Sequence, residues 1–281
     1  MSDLPRRSLL TAAALAAPAL ASTAVSAQPA GQGRATGHAA GKVAIVTGSS
    51  RGIGAATARR LARDGYALTI NYRVSRELAA QVVSEIEAAG GRAIAVQADV
   101  SDPAAVRRLF DETQTAFGGV DAVISNAGIM NLAPFAEMTD EAFIRMTDVN
   151  QKGSFFVLRE AARRVRDGGR IVALNSSIVE LRSPTYGPYA ATKAAQGLFA
   201  ASLAKEMGGR GITVNAVAPG VVNTPLFTDG KTPEMVAGFV ARTPLGRLGE
   251  PTDIANVIAG LCGPDGGWIS GQTVFANGAI V

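Results

Sequence analysis

The sequence predicts one α/β domain, a doubly wound parallel sheet of about seven strands with helices on both faces. Three observations predict it. Short apolar runs alternate with longer amphipathic stretches from Lys42 to the C-terminus. Most of the runs are rich in Val and Ile and are four to six residues long, as strands buried on both faces should be. Thirty-two glycines beside only 5% aromatic residues suit a loop-rich framework that lets ligands approach its backbone.

In order, the expected strands are Val43–Thr47, Ala67–Tyr72, Ala93–Gln97, Ala122–Asn126, Ile171–Leu174, Thr213–Ala218 and Thr273–Ala276. The expected helices are Ile53–Asp64, Ser75–Ala89, Pro103–Phe117, Thr139–Arg166, Tyr189–Met207 and Pro251–Leu261. Asp102 before Pro103 marks a helix start with proline in the first turn, and Thr139 or Asp140 opens the next helix. Thr224 to Arg242 holds two Thr-Pro pairs and a short apolar helix. No second domain and no internal repeat interrupts the alternation. Ligands of such sheets bind beyond the carboxyl ends of the strands.

The segment before Lys42 has another character. Arg6 and Arg7 precede Ser8-Leu9-Leu10 and a weakly apolar, Ala-rich stretch to about Val25. Val25-Ser26-Ala27 then supplies small residues where signal peptidase needs them. The arginine pair resembles a bacterial twin-arginine export signal, although no lysine or glutamine follows its apolar start. The expectation is a signal peptide at 1–27, a Gly/Ala-rich flexible linker at 28–41 and a catalytic domain at 42–281. The protein would then be periplasmic or secreted, with an uncut cytoplasmic form as the alternative. The stretch is too short and too Ala-rich for a stable membrane span.

Composition narrows the function. The 281 residues are 47% hydrophobic and 18% charged, with a formal charge of +4. No run of Lys or Arg is interleaved with aromatics, so no nucleic acid is expected as partner. The single cysteine, Cys262, cannot form an intrachain disulfide and fits an apolar core. The only histidine, His38, lies in the linker, so no Cys/His metal site is expected.

Chemistry-bearing residues fall at strand ends. The first strand runs into Thr47-Gly48-Ser49-Ser50-Arg51-Gly52-Ile53-Gly54, followed by a helix. Such glycines permit a tight turn and bring backbone N–H groups to a pyrophosphate at the helix N-terminus. The second strand ends in Asn71-Tyr72-Arg73, without the acid that binds ribose hydroxyls in NAD enzymes. A 2′-phosphate instead wants guanidinium partners, which Arg51 and Arg73 offer, so NADP(H) is the expected cofactor. Tyr189 and Lys193 begin a helix and lie one turn apart on one face. An ammonium beside a phenol favours the phenolate and lowers a pKa that is ordinarily near about 10.

The TGxxxGxG turn with Tyr189-Ala190-Ala191-Thr192-Lys193 resembles the short-chain dehydrogenase/reductase family, over about Lys42 to Val281. The resemblance implies a Rossmann-like fold and a catalytic set of Asn150, Ser176, Tyr189 and Lys193. Ser176 lies thirteen residues before Tyr189, with Ser177 adjacent and a one-residue shift of register open. Ser176 would orient the substrate oxygen, Tyr189 would give or take its proton, and Lys193 would hold ribose hydroxyls. Asn150 would hold a water between Lys193 and bulk solvent. The implied cofactor residues are Gly48, Ser50, Arg51, Gly52, Ile53, Gly54, Tyr72 and Arg73. With them come Asp99 and Val100 at the adenine, and Asn126, Ala127 and Gly128 in the NAG motif. Tyr189, Lys193, Pro219, Gly220, Val222 and Thr224 complete the set. Ala276-Asn277-Gly278-Ala279 replaces the usual DGG-like tail.

The implied substrate is a small carbonyl or alcohol compound met by Ser176, Ile178, Tyr186 and Tyr189. Met130, Leu132, Val179, Val222 and Phe227 are further wall candidates, and Glu180 either contacts substrate or is solvated. The nearest pattern is that of 3-oxoacyl-carrier-protein reductases and their broad-specificity relatives. Export would separate the protein from cytoplasmic carrier protein. Family members are commonly homotetramers built on the two long helices. The alternative is a non-catalytic NADP-binding sensor or partner-binding module, against which the intact Tyr–Lys pair argues.

N-terminal sequencing of protein from the native host checks the export signal. The expected mature chain begins near Gln28, and Arg6→Lys with Arg7→Lys together retain the full-length form in the cytoplasm.

Overall fold

The structure is a computed structural model and describes residues 37–281. The expected signal peptide, and the linker up to residue 36, lie outside the described residues.

The chain alternates strand and helix: β1 (Val43–Val46), α1 (Gly52–Arg63), β2 (Ala67–Tyr72), α2 (Arg76–Ala88), β3 (Arg92–Gln97), α3 (Pro103–Phe117) and β4 (Val120–Ser125). Next come α4 (Asp140–Met146), a π-helical segment (Thr147–Lys152), α5 (Gly153–Arg164), β5 (Val165–Leu174), α6 (Ile178–Leu181) and α7 (Gly187–Met207). The chain ends with β6 (Thr213–Pro219), α8 (Pro225–Thr228), α9 (Pro233–Arg242), α10 (Pro251–Cys262) and β7 (Thr273–Ala276). The seven strands form one sheet, ordered β3-β2-β1-β4-β5-β6-β7, and every pairing is parallel. The order reverses between β1 and β4, which opens a crevice at their carboxyl ends.

Side-chain alternation explains the two cores. Ala44 and Val46 pack on one face with Leu61 of α1 and Ile258 of α10. Ile45 packs on the other with Leu109 and Phe110 of α3 and Val157 of α5. Strand β4 carries an exception. Val120 and Val123 share a face although they are three apart. A register shift between Val120 and Ala122 against β5 makes that possible, as a bulge re-aims side chains.

Local signals work as expected. The Asp102 side chain accepts from Ala104 N at 2.8 Å, with Pro103 in the first turn of α3. Thr139 caps α4 by accepting from Ala142 N at 3.2 Å. Two expectations are corrected. The long helix Thr139–Arg166 is divided by the π-helical segment, and its last residues begin β5. Val165 is fully buried and pairs with Val120, so burial in the sheet outweighs continuation of the helix. Gly37–Gly41 also belongs to the fold and not to a free linker. Ala39 is fully buried and donates to Asp64 O at 3.0 Å, beyond the end of α1. Cys262 is buried, as expected, beside the Tyr66 hydroxyl, which donates to its carbonyl at 3.2 Å.

Among the described residues no helix is long and apolar enough to cross a membrane. Phe110 is fully buried between α3 and the sheet. Phe110→Ala is expected to lower unfolding free energy by about 3–5 kcal/mol in urea titrations.

Candidate active site

The turn from β1 to α1 is built by close approach. A Cβ on Gly54 would stand 2.5 Å from Gly48 O and 2.6 Å from Asn126 Nδ2. Gly48 adopts φ +61°, and a Cβ there would stand 2.9 Å from Ala127 Cα. Only glycine fits either position. Asn71 holds the turn from β2. Its Oδ1 accepts from Gly48 N at 3.1 Å, and its Nδ2 donates to Ala98 O at 3.0 Å. Its backbone N donates to Ser49 Oγ, and its O accepts from Ser49 N. Asn126 Nδ2 ties the end of β4 to Thr47 O at 2.8 Å and to Gly48 O at 3.1 Å.

This turn forms the floor of a cleft of about 810 Å³. From the turn, Gly48, Ser50, Arg51, Gly52, Ile53 and Gly54 line it. Tyr72 and Arg73 follow at the end of β2, and Asp99 with Val100 after β3. Asn126, Ala127 and Gly128 after β4, and Thr224 after β6, close it. All of these are residues the sequence nominated for a cofactor. Arg51 and Arg73 are exposed, and among the described residues neither enters an ion pair. Asp99 is committed within the protein. Its Oδ1 accepts from Ser101 N (3.0 Å) and Oγ (2.7 Å), and its Oδ2 from Arg145 Nη2 (2.9 Å). Burial works against its charge, but Ser101 and Arg145 prevail and hold the carboxyl below its ordinary range. Arg145 also lines the cleft, a residue the sequence pattern did not mark.

A second pocket of about 130 Å³ shares Ile53, Asn126, Tyr186 and Thr224 with the cleft. Ser176, Tyr189 and Lys193 line it, as do Pro219, Gly220 and Val222 from the end of β6. The substrate candidates Ile178, Tyr186, Met130 and Phe227 line it too. Val179 does not, while Leu181 does. The reason is that α6 is helical, so Ile178 and Leu181 share a face and Val179 turns away. Leu132 borders the larger cleft. Glu180 is exposed and lies 3.8 Å from Arg182, so it is a solvated acid.

The register at the serines is resolved by hydrogen bonding. Ser177 is buried; its Oγ donates to Ala218 O at 3.2 Å and accepts from Asn277 Nδ2 at 3.1 Å. Ser176 instead lines the pocket beside Tyr189, and its Oγ accepts from Ile178 N at 3.3 Å. The Asn277 contact also shows what the altered tail does: it braces the segment that presents Ser176.

Tyr189 and Lys193 are both buried on one face of α7. The expected lowering of the phenol by the ammonium is not what this arrangement gives. Burial pushes Tyr189 above its ordinary range, Tyr186 adds to that, and the Ser176 hydroxyl pulls the other way. Lys193 Nζ stands 5.9 Å from the phenol ring centroid and donates to Leu174 O at 2.7 Å. Burial lowers its pKa from 10.5 to about 8.

Asn150 lies in the π-helical segment and is fully buried. Its Oδ1 accepts from Ile129 N and its Nδ2 donates to Ile129 O, both at 2.8 Å. Its Nδ2 also reaches Thr192 Oγ1, adjacent to Lys193, at 3.1 Å. Its backbone carbonyl accepts from Gln196 Nε2 at 2.8 Å. Gln196 is buried one turn beyond Lys193. Neither Asn71 nor Gln196 was nominated from the sequence. A polar residue in an otherwise small-residue helix was the only available signal for Gln196.

Comparison with known proteins finds relatives along nearly the whole of this domain. A family model described as Enoyl-(Acyl carrier protein) reductase matches residues 48–279. The chain is 43% identical over 256 residues to an NADPH-dependent aldehyde reductase-like protein of Arabidopsis thaliana, covering 86% of this chain and 95% of the other. It is 41% identical over 253 residues to a versicolorin reductase of Emericella nidulans, covering 85% and 95%. A short chain dehydrogenase from Burkholderia cenocepacia, solved in complex with NADP, superposes with a TM-score of 0.82 at 39% identity, covering 86% and 99%.

The depressed Lys193 has a measurable consequence. Unfolded, it keeps its proton to about its ordinary 10.5; folded, it gives the proton up near 8. Between those values the unfolded chain binds more protons, so this group makes stability rise with pH. The urea midpoint of the wild type, minus that of Lys193→Met, is therefore expected to increase from pH 8 toward pH 10. A flat or falling difference would contradict the burial of the ammonium.

Proposed function

The chain belongs to the short-chain dehydrogenase/reductase family, and from that membership we propose an NADP(H)-dependent reductase of carbonyl compounds. One observation carries the reading. Ser176 and Tyr189 line one pocket, which shares wall residues with a cleft of dinucleotide size.

The residues present fit the cofactor. The glycine turn leaves no room for a Cβ and offers backbone amides at the N-terminus of α1. Arg73 stands where the acid of an NAD enzyme would, and Arg51 of the glycine turn lines the same cleft, so the 2′-phosphate is the favoured occupant. The NADP-bound Burkholderia structure and the Arabidopsis relative's name support the same preference. Gly128 borders both Lys193 Nζ and Asn150 Oδ1, at 3.5 and 3.3 Å from its would-be Cβ, and so keeps a passage beside them.

The nicotinamide supplies the hydride. The protein's own contribution is at the oxygen. Ser176 Oγ and the Tyr189 hydroxyl donate to the substrate carbonyl and polarise it. Tyr189 then releases its proton to the forming alkoxide. The phenol carries its proton at neutral pH, and burial reinforces this, which suits donation to the alkoxide. Lys193, with a pKa of about 8, exchanges protons in the working range and restores the phenol. Asn150 fixes the Ile129 backbone and the Thr192 hydroxyl next to that lysine.

The pocket wall is apolar. Phe227 and Phe239 pack edge to face at 5.1 Å and line the pocket with Ile178 and Leu181. A hydrophobic carbonyl compound with a flat, unsaturated body fits this wall, in keeping with the aldehyde and versicolorin named for the relatives.

The test is NADPH oxidation with a panel of aromatic aldehydes, aryl ketones, quinones and an enoyl thioester. Turnover of the carbonyl compounds is expected, and Tyr189→Phe should lower kcat by about 10²–10⁴ while NADPH still binds. Undiminished turnover in that variant, or activity on the enoyl thioester alone, would refute the carbonyl reading.

A further inference from the structure

The segment after β6 hangs from the cofactor cleft. Thr224 Cγ2 lies 3.4 Å from the position a Gly52 Cβ would take, so the segment starts against the glycine turn. Short local bonds then fold it back: Phe227 N and Thr228 N both donate to Thr224 O, and Lys231 N donates to Thr228 O. Lys231 is thereby returned to the wall of the same cleft. Its Nζ lies 4.6 Å from the Phe227 ring centroid and donates to Phe227 O. Among the described residues it enters no ion pair, although Asp229 also borders the cleft. Phe227 is itself part of the carbonyl pocket, packed on Phe239 of α9.

An ammonium on an aromatic wall, facing a cleft floored by backbone amides, is matched by an anion lying between them. Arg73 at the end of β2 and Arg51 in the glycine turn mark the 2′-phosphate corner, whereas Lys231 lines the same cleft on the segment that starts at Thr224 against Gly52. Resting on the cofactor reading above, we propose that Lys231 is a second anchor for the dinucleotide, holding a pyrophosphate oxygen from the α8–α9 segment. Cofactor binding then draws that segment, with Phe227 and Phe239, into place over the carbonyl pocket. The lysine acts on any pyridine dinucleotide, and the two arginines act on the 2′-phosphate. Burial lowers the Lys231 pKa and Asp229 opposes the shift.

The experiment is fluorescence titration with NADPH, with NADH and, by competition, with inorganic pyrophosphate. The proteins are the wild type, Lys231→Met, Lys231→Arg and Arg73→Gln. Lys231→Met is expected to weaken both dinucleotides by the same factor of about ten, the effect of one charge-assisted hydrogen bond. It should also weaken competition by pyrophosphate. Lys231→Arg restores most of the affinity, and Arg73→Gln weakens NADPH alone. Chymotryptic cleavage at Leu226 and Phe227 reports the segment: saturating NADPH protects the wild type and fails to protect Lys231→Met. Unchanged affinities in Lys231→Met, or a loss confined to NADPH, overturn the proposal alone. A wild type that binds neither dinucleotide overturns the functional reading and this proposal together.

Discussion

The bonds that join the ends of β1 and β4 are the constraint on which the site rests. The Thr47 hydroxyl accepts from Asn126 N at 2.9 Å and Ala127 N at 3.0 Å while donating to Ile124 O. The Asn126 side chain returns two bonds, to Thr47 O and Gly48 O. Here the strand order reverses, the chain leaves for opposite faces, and the sheet's own ladder stops. Backbone groups at that point are partly shielded from water, and each left unpaired would cost up to about 1–3 kcal/mol. Two side chains satisfy them, and Asn71 repeats the arrangement from β2. The turn is thus rigid before any ligand arrives, and its free amides face one cleft.

The second demand is a buried charge. Lys193 is 5% exposed, and burial alone pulls its pKa toward neutrality. An ammonium in such a place survives only with well-placed acceptors. Leu174 O is one of them. The π-helical segment brings Asn150 alongside, and Gln196 fastens that segment to α7 through the Asn150 carbonyl. A regular α-helix through 147–152 would set Asn150 at another rotation and a different distance from α7. The irregularity is therefore matched to the lysine, as π-turns at functional positions often are. Small residues on α7 let it lie close to the sheet: a Cβ on Gly197 would stand 2.7 Å from Asn175 Nδ2.

Much of this was legible in the sequence, for reasons that also explain the rest. The strand Ala67–Tyr72 and the helix Pro103–Phe117 have the bounds that periodicity and capping assign. Both carry strong local signals: an unbroken apolar run in one, Asp-Pro and a terminal glycine in the other. The break inside Thr139–Arg166 has no such signal, because helical periodicity persists across a π-turn, and Val165 joins β5 only through pairing with Val120. The choice between Ser176 and Ser177 depended on Ala218 and Asn277, which are distant in the chain. The phenol's pKa was misjudged because spacing along a helix shows a neighbouring charge but not burial. In the fold, burial is the larger influence.

The unequal visibility of reaction and substrate has the same origin. The groups that act on the carbonyl oxygen come from strand ends and from α7, elements whose positions are fixed by cores on both faces of the sheet. Their geometry follows from topology, so a spacing pattern suffices to find them. The groups that meet the rest of the substrate come from α6, α8 and α9. These are short helices, and Leu226 and Met235 on them are half exposed. A small core of Met146, Ile178 and Tyr189 holds α6, but α8 and α9 bury no residue fully; what holds Phe227 and Phe239 is mostly each other and the turns running back to Thr224. Substitutions there change the pocket wall at little cost to the fold, whereas a Cβ on Gly54 collides with the backbone of its own turn. A sequence therefore announces the reaction through residues the fold cannot spare, and it leaves the substrate to residues the fold does not constrain.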